Sequence, residues 1–271
     1  MKIIIIPVSF CYPFYKDSAS ERFRCDWLLP YLPADKYDGT QKLEEYDVII
    51  YQKAHTKEMV ELSKKYKEKI QIFDDTDPEW LFREGRFLDE MIANMNFIVA
   101  STNAVATGFN VNYNIDTHVI PDRHELDFYK IKKEHLDKKP TLIWFGYSMN
   151  FNRIMPLMNI IEDYGFELIT ICEAPVPYGK FVKWDLGTSN QEIIKGDIVI
   201  NLPDEYGFKS NNKTTTAWML GMPVVEKISD IFRFLDYKER IKESDEKYKL
   251  VQTNYNIRKS ADELNKLIKK I

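Results

Sequence analysis

The sequence has 271 residues, a length at which two domains are expected. Hydrophobic residues make up 44 % of it and aromatic residues 14 %, which excludes a disordered chain because such a composition can build cores. A formal net charge of −4 excludes the strongly basic surface of a protein that coats nucleic acid. A small DNA-directed site is compatible with this balance.

The cysteines and the apolar runs indicate where in the cell the protein is located. Cys11, Cys25 and Cys172 are odd in number and show no C-x-x-C spacing, so we expect neither a disulfide framework nor a zinc site. Pro7 interrupts the apolar N-terminal run and no cleavage-type residues follow, which argues against a signal peptide. No stretch approaches the roughly 20 apolar residues that span a bilayer. We therefore expect a cytoplasmic protein without stable membrane insertion.

Short apolar, β-branched runs alternate with helix-period segments along the chain. The runs that predict strands are 3–8, 47–52, 70–74, 97–101, 118–122, 141–147, 167–172, 197–203 and 223–226. Continuously apolar strands are typical of a parallel sheet covered by helices on both faces. Helices are predicted between them, among them 57–68 and 153–165, the second ending at Gly165. This alternation predicts an α/β protein with doubly wound parallel sheets.

The charged stretch 125–140, which ends in Pro140 before a strong strand, predicts a domain boundary. We expect Rossmann-like domains at 1–135 and 136–240 that face a cleft, followed by a helical segment at 241–271. The end of this segment has an apolar stripe formed by Ile257, Ala261, Leu264, Ile268 and Ile271. A basic amphipathic end can lie on a membrane, but its acids and modest apolar face favour a helix that packs back onto the protein.

The first candidate ligand loop follows the strand 141–147. Ligands of open parallel sheets bind beyond the carboxyl ends of the strands, where loops and helix N-termini meet. Gly146 stands at such an end, and a glycine there lets the backbone approach a phosphate. Arg153 can add a positive charge. The pattern by itself is weak, because any strand-to-helix turn can use a glycine.

A second loop, 203–213, carries Lys209, Ser210 and Lys213 at the start of a predicted helix. Two cations and side-chain caps at a helix N-terminus form an anion site that suits a diphosphate. An ordinary capped helix with solvated lysines explains the same residues, so the two interpretations stay open at this point.

Three carboxylates, Asp74, Asp75 and Asp77, end a strand of the first half. Asp75 is the candidate general base or acceptor contact, whereas Asp77 before Pro78 is interpreted as a helix N-cap. Binding of a metal ion by these oxygen ligands is an alternative. His55 follows another strand and is a second candidate base, although a turn into the next helix explains it as well.

The other histidines and the first arginines have plainer interpretations. We expect His118 to be packed at the start of a strand, and His124 and His135 to titrate in solvent. Arg22 and Arg24 belong to a predicted first helix, from which they either reach a phosphate or simply stay exposed.

Three motifs follow one another in the second half. They are Asp-Ile-Val-Ile-Asn-Leu-Pro at 197–203, Lys-Ser-Asn-Asn-Lys at 209–213 and Gly-Met-Pro-Val-Val at 221–225. Their order resembles the donor half of family 4 glycosyltransferases, which have the GT-B fold. The segment 141–150 is similar to that family's first donor-domain strand and glycine loop. Three segments of the first half, 18–32, 101–110 and 118–122, resemble parts of that family's acceptor half.

The resemblance assigns roles to individual positions. Lys213 matches the family lysine near the donor phosphates, and Gly146 matches the phosphate-facing loop. Arg153 and Lys209 are looser matches. At Thr216 the family usually has a Glu that holds donor ribose hydroxyls, so the chain departs from the pattern there.

The resemblance implies a hexosyltransferase whose donor domain is 136–240 and whose acceptor-side domain is 1–135. Its donor substrate is a nucleotide-diphosphate sugar, no cofactor or metal is implied, and retention of configuration is favoured. The acceptor is a glycan, a small molecule or a modified DNA base. The alternatives are a nucleotide-sugar epimerase, a non-catalytic nucleotide-sugar or glycan binding protein, which Thr216 supports, and a phage-type glycosyltransferase that acts on modified DNA bases.

Overall fold

A computed structural model of the protein describes residues 1–82, 87–203 and 206–270, which fall into two compact units. The first unit comprises 1–82, 87–124, 206–210 and 257–270, and the second comprises 125–203 and 211–256. These units differ from the predicted ranges in three ways. The stretch 125–135 belongs to the second unit, the stretch 206–210 belongs to the first, and the helical tail divides at residue 257.

Eleven strands lie in the described part of the chain. They are β1 (Ile3–Ile6), β2 (Ala34–Lys36), β3 (Val48–Gln52), β4 (Ile70–Asp75), β5 (Phe97–Ala100), β6 (Thr117–Val119), β7 (Leu142–Phe145), β8 (Leu168–Cys172), β9 (Lys180–Lys183), β10 (Ile198–Ile200) and β11 (Val224–Val225). Each predicted apolar run overlaps a strand, whereas β2 and β9 lie outside these runs.

The strands form two parallel sheets, one in each unit. The first sheet has the order β2-β1-β3-β4-β5-β6 and the second the order β11-β10-β7-β8-β9. In each sheet the chain moves first to one side of its starting strand and then to the other. The switch points therefore lie between β1 and β3 and between β7 and β10, where doubly wound sheets bind ligands. The predicted α/β class with doubly wound parallel sheets is confirmed.

The α-helices are α1 (Val8–Cys11), α2 (Ala19–Glu21), α3 (Lys57–Lys65), α4 (Leu88–Ile92), α5 (Asn103–Tyr113), α6 (Met158–Asp163), α7 (Ser189–Ile193), α8 (Asn212–Met219), α9 (Ile228–Arg233), α10 (Tyr237–Asn254) and α11 (Ile257–Ile268). The 3-10 segments are Pro13–Tyr15, Leu29–Tyr31, Leu43–Glu45, Glu79–Phe82, Leu126–Phe128 and Ser148–Leu157, and Arg22–Asp26 is π-helical. None of the helices in the described ranges is long and apolar enough to cross a membrane.

Two predicted helices have different outcomes. The helix predicted at 57–68 is α3. The helix predicted at 153–165 is only partly α-helical, because Pro156 interrupts it inside the 3-10 segment that precedes α6. Gly165 follows α6 with a φ of +59°, the left-handed conformation expected of a helix-terminating glycine.

Alternating side chains of the first sheet enter two cores. Ile4 and Ile6 belong to one core, and Ile3 and Ile5 to the other, which the last helix covers. The buried stripe of α11 is Ile257, Ala261, Leu264 and Ile268, so the C-terminal helix packs back as predicted. The fifth predicted position, Ile271, lies outside the described residues. In the second unit the core contains Leu142, Trp144, Ile154, Leu157, Ile161, Leu168, Ile198 and Ile200.

Two of the histidines contradict the expectation that they titrate in solvent. His124 is fully buried, with its ring centroid 4.8 Å from that of Phe23. His135 is also buried, and its Nε2 lies 2.9 Å from the carbonyl oxygen of Gly221. Burial lowers the pKa of both imidazoles, that of His124 to about 3. His118, expected to be packed, is only partly buried, and its Nε2 lies 3.0 Å from Asp116 Oδ2.

We expect His124 to make the protein sensitive to mild acid. Its pKa in the folded state is about 3 against an ordinary 6.5, so below pH 6.5 the unfolded chain takes up a proton that the folded chain does not. The free energy of unfolding should therefore decrease as the pH falls from 6.5, by up to about 1.4 kcal/mol per pH unit from this group. Urea unfolding at pH 7, 6, 5 and 4 should show a shallower decrease in His124→Gln, and an unchanged slope would contradict this.

Candidate functional site

The carboxyl edge of the first sheet holds a cluster of buried charges. Asp75, the last residue of β4, is fully enclosed. Its Oδ1 accepts hydrogen bonds from the backbone N–H groups of Thr76 at 2.7 Å and Asp77 at 3.1 Å. Its Oδ2 is buried without a hydrogen-bond partner among the described residues. One carboxylate oxygen is thus held in place while the other remains able to accept a proton.

Lys53 and His55 follow β3, the neighbouring strand. Lys53 Nζ lies 2.5 Å from Asp77 Oδ2 and 3.2 Å from Glu79 Oε1. His55 is buried, and its Nε2 lies 3.9 Å from Glu79 Oε2. The two predicted catalytic residues, Asp75 and His55, are thus placed at the ends of adjacent strands. Lys53 was not singled out from the sequence, although a lysine directly after an apolar strand was a signal for it.

The loop residues 206–210 belong to this same unit. Lys209 Nζ lies 2.5 Å from Asp77 Oδ1, and Ser210 hydrogen-bonds the carboxylate of Asp122. Of the residues predicted to bind donor phosphate, Lys209 and Ser210 are therefore engaged with carboxylates of the first unit. Asp77, interpreted as a helix N-cap, precedes the 3-10 segment Glu79–Phe82, and both of its side-chain oxygens contact lysines.

Arg24 is buried beside this cluster and does not remain exposed. Its Nε and Nη2 donate to the two oxygens of Asp74 at 2.8 and 2.9 Å, and its Nη1 donates to the carbonyl of Ile120 at 2.7 Å. Asp122 lies 3.7 Å from the same guanidinium. Asp74 is thereby committed to an ion pair, whereas Asp75 Oδ2 and Asp122 Oδ1 are buried without a hydrogen-bond partner among the described residues.

The protonation of the two neighbouring aspartates is pushed in opposite directions. Burial, with Glu79 next, raises the pKa of Asp75 well above its ordinary value, while Lys53 opposes the rise. For Asp77 the effect of burial is overcome by Lys53 and Lys209, which hold its pKa below the usual range. The surroundings of Asp75 thus favour its neutral form, whereas those of Asp77 favour its charged form. No group of three or more His, Cys, Asp or Glu side chains within the described ranges is arranged to hold a metal ion.

The second unit brings Gly146 and Lys213 together at its switch point. Gly146 follows β7 with a φ of +148°. A Cβ at this position would lie 2.3 Å from Lys213 Nζ, so any other residue would displace the ammonium group from this place. Lys213 enters from the first turn of α8, and its Nζ lies 5.1 Å from the centroid of the Trp144 ring. A cation is therefore held against a strand end, beside a helix N-terminus.

In the segment that follows Gly146, the first backbone donor already has a partner within the chain. The N–H of Ser148 donates to both oxygens of Glu173 at 3.0 Å, and the hydroxyl of Ser148 donates to Glu173 Oε1 at 2.5 Å. This segment is a 3-10 helix, in which Arg153 is partly buried. A carboxylate of the chain itself thus already uses the first donor, and the cation at Gly146 is Lys213.

A relay of side chains orients a further carboxylate that the sequence did not indicate. The side-chain amide of Asn201, after β10, donates to the hydroxyl of Thr214 at 2.9 Å, and this hydroxyl donates to Glu226 Oε1 at 3.2 Å. Glu226 follows β11 and is exposed. Thr216, where the family pattern has a Glu, is instead 3.5 Å from the hydroxyl of Tyr129. In the sequence, the only indication of a role for Glu226 was its position directly after the Pro-Val-Val strand.

No protein-family model matches the sequence, and no curated protein matches it. Several solved structures do match. One, on substrate binding and the proposed catalytic mechanism of T4 phage β-glucosyltransferase, has a TM-score of 0.59 at 12 % identity and covers 98 % of this chain and 99 % of that one. Another, of the DNA-modifying enzyme β-glucosyltransferase with and without uridine diphosphoglucose, has a TM-score of 0.61 at 11 % identity, with coverage of 98 % and 99 %.

A third match is the lipopolysaccharide outer core galactosyltransferase WaaB in its apo form, with a TM-score of 0.55 at 11 % identity. Each chain is covered over 100 % of its length. At such identities the likeness concerns the fold, and the narrower resemblance to family 4 stays a prediction. The fold of this chain is that of GT-B glycosyltransferases.

Proposed function

We propose that the protein is a glycosyltransferase that moves a hexose from a nucleotide-diphosphate sugar to an acceptor hydroxyl. The observation that carries this proposal is Lys213, whose ammonium occupies the space left by Gly146 at the switch point of the second sheet. A cation and the N-terminus of α8 offset the charge that a diphosphate leaving group gains in the transition state. We expect this compensation to need no metal ion.

Glu226 completes the proposed donor site. A carboxylate can accept hydrogen bonds from two hydroxyl groups at once, and the Asn201–Thr214 relay holds Glu226 in one orientation. This provides the hydroxyl-binding carboxylate that Thr216 cannot. Uridine diphosphate sugars are the first donors to test, because T4 phage β-glucosyltransferase was solved with UDP-glucose as its substrate.

The first unit supplies the proposed base. Asp75 has one fixed oxygen and one oxygen without a partner among the described residues, and its raised pKa makes it a better proton acceptor than an ordinary carboxylate. Because Asp75 is enclosed, an acceptor reaches it only when neighbouring side chains move on binding. His55 lies at the same edge and is the second candidate.

The stereochemistry is a separate part of the proposal. The resemblance to family 4 favours retention, whereas a base beside the acceptor hydroxyl is what an inverting displacement needs. We propose inversion, because the buried carboxyl of Asp75 is an observation on this chain and the resemblance rests on short motifs. The coupling constant of the anomeric proton in the product distinguishes the two. The acceptor is a glycan, a small molecule or a modified DNA base, and the cytoplasm is the proposed compartment.

The most direct test of donor binding is the melting temperature in the presence of nucleotides. A ligand that binds only the folded chain stabilises it by about 2.7 kcal/mol at one hundred times its Kd. We expect UDP, GDP, ADP or CDP to raise the melting temperature, and the matching nucleoside without phosphates to raise it much less. Unchanged melting with all four diphosphates would contradict the proposed function. Binding without turnover of any nucleotide sugar would favour the non-catalytic binding protein.

A further inference from the structure

Lys53 has an unusual backbone conformation for its residue type. Its φ is +52°, in the left-handed region that disfavours side chains with a Cβ. The other non-glycine residues with positive φ among the described ones are Asp17 and Asn114, and both types tolerate this region through local hydrogen bonds. Lys53 has a long side chain, and it is buried. Such conformations persist where the surroundings fix them and cluster at functional sites.

Contacts at both ends fix Lys53. Its N–H donates to the carbonyl of Asp74 at 3.0 Å, which continues the pairing of β3 with β4. Its Nζ lies between Asp77 at 2.5 Å and Glu79 at 3.2 Å. The left-handed turn therefore delivers a buried ammonium group into the carboxylate cluster that surrounds Asp75.

The charged groups that act on Asp75 come from three parts of the first unit. Lys53 follows β3, Asp77 and Glu79 follow β4, and Arg24 comes from the π-helical segment. Arg24 is occupied by the two oxygens of Asp74, so its charge is already compensated. Further out, Lys209 contacts Asp77, and His55 lies near Glu79. Lys53 is the cation whose loss would leave Asp75 facing two negative carboxylates.

We propose that Lys53 is a positioning residue of the sugar transfer, whose ammonium, held by Asp77 and Glu79, favours the ionised form of Asp75 that accepts the acceptor's proton. This inference rests on the proposed function. In that reaction the acceptor oxygen bonds to the anomeric carbon as its proton passes to Asp75 Oδ2. The bond from the anomeric carbon to the diphosphate oxygen breaks, and the nucleoside diphosphate leaves with the electron pair.

Two variants should shift the pH dependence in opposite directions. Lys53→Met removes the cation at similar length, which favours the protonated form of Asp75. The acidic limb of the kcat/KM profile for a nucleotide sugar should then move up by about one pH unit or more. Glu79→Gln removes a negative charge and should move the limb down. Lys53→Arg keeps the charge and should restore the wild-type limb, with KM for the donor unchanged throughout.

A purely structural role predicts a different result, in which activity falls equally at every pH and the limb stays in place. A second readout does not depend on activity. In protein labelled with ¹³C at the aspartate carboxyls, the resonance of Asp75 is assigned by its loss in Asp75→Asn. Its titration midpoint should rise in Lys53→Met and fall in Glu79→Gln.

An unchanged midpoint in Lys53→Met overturns the inference even if the wild-type protein transfers sugar. Absence of turnover at every pH, with no binding of a nucleoside diphosphate, overturns the proposed function and the inference with it. If Lys53→Met does not fold, Lys53→Gln decides, because it also removes the positive charge while keeping a polar side chain, and it should raise the midpoint in the same way.

Discussion

Lys213→Ala should lower the affinity for a nucleoside diphosphate by at least tenfold while the protein stays folded. The lost contact is a charge-assisted one with phosphate, and such contacts contribute roughly 1.5–3 kcal/mol, or about 10- to 150-fold in affinity. Removal of the Lys213 side chain leaves no cation in the space beside Gly146. Isothermal calorimetry on both proteins measures the difference.

Lys195→Ala is the matched control for this change. Lys195 is exposed in the same unit and pairs with Glu192 at 2.6 Å, so its loss should leave nucleotide affinity unchanged. Gly146→Ala tests the same geometry from the other side. Its new Cβ would lie 2.3 Å from Lys213 Nζ at a φ of +148°, so the ammonium must move and affinity should fall. If Lys213→Ala binds a nucleoside diphosphate with wild-type affinity, the donor site is wrongly assigned.

Arg24→Met should destabilise the first unit severely. Arg24 is only 2 % exposed and forms a bidentate pair with Asp74, with Asp122 close by. Loss of the guanidinium leaves two buried carboxylates without their cation, which costs about 3–5 kcal/mol. For a unit of this size the melting temperature should fall by roughly 6–20 °C. Thermal unfolding followed by circular dichroism measures it.

The loss of an exposed arginine is the control for the loss of the buried Arg24. Arg233 pairs with Glu243 at 3.0 Å and is 42 % exposed, so Arg233→Met should cost less than about 1 kcal/mol. Combining Arg24→Met with Asp74→Asn should recover part of the loss, because one uncompensated charge disappears. A melting temperature for Arg24→Met as close to wild type as that of Arg233→Met would contradict the role of this buried pair.

The central strands of both sheets were predictable because both of their faces are buried. The run Ile3–Ile6 is apolar at every position, as a covered parallel strand requires. The strands β2 and β9 were missed for the opposite reason. They lie at sheet edges, have no fully buried residue and carry lysines, so their sequences have no apolar run. What makes them strands is pairing with β1 and β8, which is a tertiary interaction.

The candidate site was predictable where it depends on strand ends. Asp75, His55 and Gly146 each follow an apolar run, and the structure places each at a carboxyl edge. The partners of these residues were not predictable, because they come from distant parts of the chain. Arg24 is 50 positions from Asp74, and Lys209 is 132 positions from Asp77. An arginine on a short helix has no local signal of burial.

The central claim is that this chain turns over a nucleotide sugar, and release of nucleoside diphosphate from UDP-, GDP-, ADP- and CDP-hexoses measures this directly. Without an acceptor, water can accept the sugar slowly. We expect one donor class to be hydrolysed by the wild-type protein. Asp75→Asn should reduce its turnover by at least about 100-fold, as loss of a general base does, while nucleoside diphosphate binding stays intact. No release from any donor, or full activity in Asp75→Asn, would contradict the account.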